Sequence, residues 1–136
     1  MIRHLQVEHV CALHDASISE FGGIRGIRDR NLLESAVYQP QQSFGGEDVY
    51  PTLFDKASAY ACFISANHAF LDGNKRTAIS AAAVFLDLNG YKITVVPGEI
   101  YEVMMKVANK KMSRDDLAKW FRKNCKKRGR FPKKGS

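Results

Sequence analysis

Residues 53–89 read LFDKASAYACFISAN (53–67), HAFLDGNKRT (68–77) and AISAAAVFLDLN (78–89), and the way these pieces join decides the fold. Thr52 and Asp55 resemble a capping box, with Asp where Glu or Gln is usual. They predict the start of a long apolar helix that ends near Asn67. After Lys56 that helix carries almost no charge, so burial on most sides is expected. A second apolar helix runs from Gly73 or Asn74 and stops at Gly90, a residue suited to the position after a helix. Only His68-Ala-Phe-Leu-Asp-Gly separates the two.

The flanking segments supply further short helices. Val7, Val10, Cys11, His14, Ile18 and Phe21 recur at spacings of three and four, which predicts an amphipathic helix over 7–21. Gly22, Gly23 and Gly26 end it. Asp29 caps a short helix over Arg30–Tyr38, closed by Pro40. Residues 39–51, QPQQSFGGEDVYP, fit a short irregular β-hairpin with Gly45-Gly46 at its tip, or a plain loop. Tyr91–Val96 reads as extended. Pro97 starts a helix to about Asn109, with Ile100, Val103, Met104 and Val107 facing inward. Ser113 with Asp116 opens a last helix through Trp120 and Phe121. The expected fold is all-α (mostly α): six or seven short helices and little strand.

At 136 residues the chain is one domain by length, large enough to bury a core without staples. Its 45% hydrophobic and 26% charged shares are ordinary for a globular protein. No apolar run approaches the roughly 18 residues of a membrane span. No secretory signal is visible at Met1-Ile-Arg-His-Leu-Gln, which makes a cytoplasmic location the expectation. Cys11, Cys62 and Cys125 are an odd set without a close pair, suiting neither a disulfide framework nor zinc. His4, His9 and His14 recur every five residues, which does not put them on one helical face as ligands. The net charge of +7 is local: nine cations lie from Lys119 onward, with no acidic residue after Asp116. The division expected is a domain over 1–124 and a basic tail over 125–136, too charged and too poor in apolar residues to pack.

The loop between the central helices carries the chemistry. A helix N-terminus exposes N–H groups without intrahelical partners, and its dipole gives it partial positive charge. Gly73 lets an anion approach that backbone, Asn74 adds a neutral donor, and Lys75 and Arg76 add charge. Two cations there oppose the dipole, which makes more sense if an anion sits between them and the helix. Asp72 beside them suits Mg²⁺, although it would also serve as an N-cap. His68 suits a general base, or a hydrogen-bonded loop histidine.

His68-Ala-Phe70-Leu-Asp72-Gly73-Asn74-Lys75-Arg76 resembles the Fic/Doc signature H-x-F-x-[D/E]-G-N-G-R-x-x-R, nearest to its Doc (death-on-curing) toxin branch. Leu13-His-Asp15, Phe21-Gly-Gly…Gly26, Arg28-Asp29 and Leu86-Asp-Leu-Asn-Gly90 are similar to that branch too, so the resemblance covers most of 1–120. It implies a Fic/Doc-type helical bundle with a short β-hairpin flap. It implies ATP as co-substrate and Mg²⁺ held by Asp72. His68 would deprotonate a target hydroxyl and Phe70 would be the buried anchor of the loop. Gly73, Asn74 and Lys75 would form the anion hole, with Arg76 on phosphate. Residues 41–50, with Ser43, Phe44, Gly45 and Gly46, would be the flap that aligns a target peptide by strand pairing.

Two departures bear on the reaction. Lys75 replaces the second Gly of G-N-G-R, and Ile79 stands where the final Arg falls. An apolar residue cannot grip phosphate, so the nucleotide orientation of AMP-transferring relatives loses a partner. Lys75 matches the Doc branch, which implies phosphorylation of a Ser or Thr on elongation factor Tu, a translation factor, with AMP transfer as the alternative. Ser43 and Glu47 have the spacing of an inhibitory S/T-x-x-x-E-G/N helix, but Asp48 follows and Gly45-Gly46 would break a helix. Inhibition is therefore expected from a separate antitoxin that supplies its own helix. A rival reading gives the chain growth inhibition through weak, salt-sensitive binding of its basic tail to RNA or the ribosome.

Overall fold

The computed structural model describes residues 1–128. Among them are α1 (Val7–Phe21), α2 (Arg30–Tyr38), a 3-10 turn (Gln39–Gln41), α3 (Leu53–Asn67), α4 (Asn74–Leu88), α5 (Pro97–Ala108) and α6 (Arg114–Asn124). Two small antiparallel pairs complete it: β1 (Ser43–Phe44) with β2 (Glu47–Asp48), and β3 (Tyr91–Ile93) with β4 (Cys125–Lys127). The mostly helical class is as the sequence predicts. No helix among the described residues is long and apolar enough to cross a membrane.

α3 is the hub, packing against α4, α6 and α2. Its Ala57, Ala59, Tyr60, Ala61 and Ile64 are all buried. Ala78, Ala81 and Ala82 of α4 are buried too, and such small side chains let helix axes approach closely. Phe85, Leu86, Leu117 and Phe121 fill the remaining core. Burial pushes the Cys62 and Cys125 thiols up to about 11, so both stay protonated and unreactive near neutral pH.

The hairpin forms where the sequence allows it, in register Ser43↔Asp48 and Phe44↔Glu47. Gly45 and Gly46 have φ of +59° and +83°, the pair of positive values that a two-residue hairpin turn prefers. A buried cation roots it. Lys56 of α3 has its ammonium 3.0 Å from the Asp48 carboxylate and also donates to the Tyr50 carbonyl.

The tail boundary needs correction. Residues 125–127 were expected to be the start of an unpacked tail, yet they form β4, with Cys125, Lys126 and Lys127 opposite Ile93, Lys92 and Tyr91. Arg128 extends the contact, its N–H on the Gly90 carbonyl at 2.7 Å and its guanidinium 3.2 Å from Asp87. Strand pairing uses the backbone, so the lysines keep their charges in solvent while their main chain is ordered. The rest of the predicted tail, 129–136, lies outside the described residues.

The three regularly spaced histidines have separate positions. His4 meets the Tyr60 hydroxyl, His9 Nδ1 accepts the Gln6 N–H at the start of α1, and His14 points to the loop between α3 and α4.

Candidate active site

α3 ends at His68, which adopts the left-handed conformation with φ 49° and ψ 44°. A side chain there is strained by about 1–3 kcal/mol, where Gly would be easier. Arg28 supports the turn, its Nε donating to the His68 carbonyl at 2.7 Å and its Nη2 to the Asn67 carbonyl at 3.3 Å. A cation on the last carbonyls of a helix also complements its dipole. The segment after α1 then lies along the loop. Arg28 and Asp29 N–H groups reach the Ala69 carbonyl, Leu71 N–H reaches Gly26, and Ile27 bridges Phe70.

Phe70 is buried, its ring stacked on His14 at 3.9 Å and 6°. The Asn74 side chain closes the loop. It accepts the Phe70 N–H and donates Nδ2–H to the Phe70 carbonyl, both at 3.0 Å. A buried main chain between helices needs partners, and Asn74 supplies both. Its second Nδ2–H and its backbone N–H remain for a ligand. Gly73 has its N–H engaged, donating to Asp72 Oδ1 at 2.9 Å. Its value lies in shape. With φ of +76°, it is the left-handed residue before α4, and an added Cβ would come within 3.2 Å of Ile18.

Asp72 is exposed, and its other oxygen accepts the Ile24 N–H at 3.2 Å. It therefore starts α4 without capping it; α4 has no side-chain cap. The N–H groups of Asn74, Lys75 and Arg76 reach no acceptor among the described residues. Lys75 has no ion pair or hydrogen bond there either. Arg76 forms none with its guanidinium, which lies 4.0 Å over the Phe21 ring and 5.7 Å from the Tyr101 ring. Two aromatic faces can hold a guanidinium plane while leaving its N–H fork unoccupied.

These groups surround one open cleft of about 360 Å³, lined by His68, Leu71, Asp72, Gly73, Asn74, Lys75, Arg76 and Tyr101. Small-molecule sites run to about 300–1,000 Å³. The cleft offers an exposed imidazole, one carboxylate, two unpaired cations and three open N–H groups, a set suited to a polyanion. Asp72 alone matches how Mg²⁺ is usually held, by one or two carboxylates with phosphates and water as the other ligands. Ser43, Phe44, Gly45 and Gly46 do not line it, and Phe44 is exposed. Sequence reasoning missed Tyr101 and the supports Phe21, Ile18, His14 and Arg28. For Tyr101 there was a signal, an aromatic residue off the apolar stripe of a predicted helix.

Residues 4–86 match the Fic/DOC family. The chain is 49% identical over 73 residues to "Toxin Doc" of Mycolicibacterium smegmatis, covering 54% of this chain and 56% of that protein. It spans little more than half the length of that relative. It is 32% identical over 122 residues to "Protein kinase doc" of Escherichia phage P1, covering 90% of this chain and 95% of that one.

Proposed function

The chain belongs to the Fic/DOC family, and from that premise we propose that it is a toxin enzyme that moves the γ-phosphate of ATP to a Ser or Thr hydroxyl of a translation factor resembling elongation factor Tu. The observation that carries this is the exposed His68 imidazole facing the same cleft as the uncapped, doubly cationic start of α4. ATP phosphates settle on the N–H groups of Asn74, Lys75 and Arg76, with the Lys75 ammonium and Arg76 fork taking their charge. Asp72 would hold Mg²⁺, which would supply charge neutralisation on the transferred group. His68 accepts the hydroxyl proton as that oxygen bonds to the γ-phosphorus, and the bond to ADP breaks. The hairpin 43–48 aligns the target segment.

The relative named a protein kinase supports phosphate transfer, as does Lys75 in place of Gly. AMP transfer is the alternative within this family. The relative named a toxin supports an antitoxin partner that blocks the cleft with its own helix. A cytoplasmic site of action follows from such a target, with residues 1–128 as the working domain and the remaining basic residues as accessory RNA contacts.

The test is incubation of the full chain with Mg²⁺, a translation-factor mixture and ATP labelled at the α or γ position. Label from the γ position is expected on protein, falling by about 10²–10⁴-fold in His68→Ala, the usual worth of a positioned base. Label from the α position on the target would refute phosphate transfer.

A further inference from the structure

His14, Ile18 and Phe21 are spaced four and three residues apart and so share one face of α1. Each meets a different part of the cleft: Phe21 lies under the Arg76 guanidinium, Ile18 closes on Gly73, and His14 reaches the loop at two points. We propose that His14 is a positioning residue for the transfer, one that sets how Asp72 and the first turn of α4 meet the nucleotide. The proposal rests on the phosphate-transfer reading above.

The geometry is specific. His14 Nε2 lies 2.8 Å from the Asp72 main-chain carbonyl, which has no proton, so the imidazole must donate. On its other side Nδ1 is 4.0 Å from the exposed Asp15 carboxylate, too far for a hydrogen bond. The ring is buried and lies parallel to Phe70. Both of its directed contacts therefore end on the loop. The carbonyl matters because it belongs to the residue four before Arg76. Had α4 begun one turn earlier, that carbonyl would take the Arg76 N–H. His14 donates to it instead, Gly73 turns the backbone in the left-handed conformation, and the Arg76 N–H reaches no acceptor among the described residues. One imidazole thus holds the main chain that carries the Asp72 carboxylate, at the carbonyl that a longer α4 would offer to the Arg76 N–H.

Two substitutions separate its two contacts. His14→Phe keeps a flat ring against Phe70 and removes the donor. His14→Gln keeps a donor near the place of Nε2 and removes the ring. In the γ-label assay, His14→Phe should lose about ten- to a hundredfold in kcat, as supports of a reactive group do, with a much smaller change in KM for the target protein. It should also need more Mg²⁺ for half-maximal rate. His14→Gln should recover part of the rate. Wild-type kcat and Mg²⁺ dependence in His14→Phe would overturn the proposal. So would equal losses in both variants that track only their melting temperatures. Amide hydrogen exchange at Phe70 and Leu71 gives a readout without catalysis: faster in His14→Phe is expected, and unchanged exchange would also overturn it. If His14→Phe does not fold, His14→Leu, which also lacks the donor, must show the kcat loss and the faster exchange, or the proposal fails. If wild type transfers no label, the functional reading falls, and loop exchange still judges His14.

Discussion

The first turns of α3 and α6 stand in contrast to the first turn of α4. At α3, Thr52 Oγ1 accepts the Asp55 N–H at 3.0 Å while Asp55 Oδ2 accepts the Thr52 N–H at 3.2 Å. At α6, Ser113 and Asp116 form the same reciprocal pair, with Asp115 adding negative charge beside the dipole. At α4 there is no capping side chain and no acid, only Gly73 and then the cations Lys75 and Arg76. Where a helix start has only to hold, the chain satisfies its N–H groups and matches its dipole. Where it faces the cleft, the chain leaves both unmet. On the proposed function, the mismatch is local stability given up for a ligand's charge.

Reversing the mismatch should separate function from stability. Lys75→Glu makes the first turn of α4 resemble that of α3. ATP binding should weaken by tenfold or more, since a hydrogen bond to a charged group contributes about 1.5–3 kcal/mol. Without ATP the variant should melt no lower than wild type, and the dipole argument gives a gain of about 0.3–1 kcal/mol, screened by salt. Calorimetry of Mg²⁺-ATP binding and thermal melts at two salt concentrations check both halves. A variant that is less stable and binds ATP normally breaks the comparison. Arg76→Glu should not share the gain, because it also loses the Phe21 and Tyr101 faces.

The opposite change sharpens it. Thr52→Ala removes the α3 cap and should lower stability by about 0.5–2 kcal/mol, read by denaturant unfolding. Because Thr52 does not line the cleft, ATP affinity should stay at the wild-type value.

Much of this contrast was legible in sequence because it is local. Thr52 with Asp55 and Ser113 with Asp116 sit three residues apart, so the cap and its partner are adjacent in the chain. The run His68–Arg76 likewise brings its chemistry to one loop whatever surrounds it. The supports of that loop were not legible. His14 lies 58 residues from Asp72, Arg28 lies 40 from His68, and Phe21 meets Arg76 only once α1 packs on α4. On a helix face, a histidine that holds a loop has the same spacing as one that fills a core. The second task of the Asn74 side chain was hidden for a related reason: a donor can be read from sequence, but the Phe70 backbone that takes one of its N–H groups cannot. The β4 strand was missed because charge argues against burial and says little about backbone pairing.

A histidine also separates the two kinds of region. His68 is exposed at the cleft, whereas His4 is half-buried between the N-terminal segment and the core. The Tyr60 hydroxyl accepts the Leu5 N–H at 3.0 Å, which leaves its own proton to donate to His4 Nδ1 at 3.3 Å. Burial lowers the His4 pKa below 6.5, and the nearby Lys56 ammonium lowers it further against the opposing pull of Asp48. The native state therefore binds fewer protons than the unfolded chain as pH falls through 6.5. The stability from neutral His4 is complete above that value and is lost as pH drops below it. Between pH 6.5 and 5, His4→Gln should show a shallower fall in melting temperature than wild type. Parallel curves would mean that the N-terminal seal tolerates the imidazolium, and that the protonation sensitivity of the fold lies elsewhere.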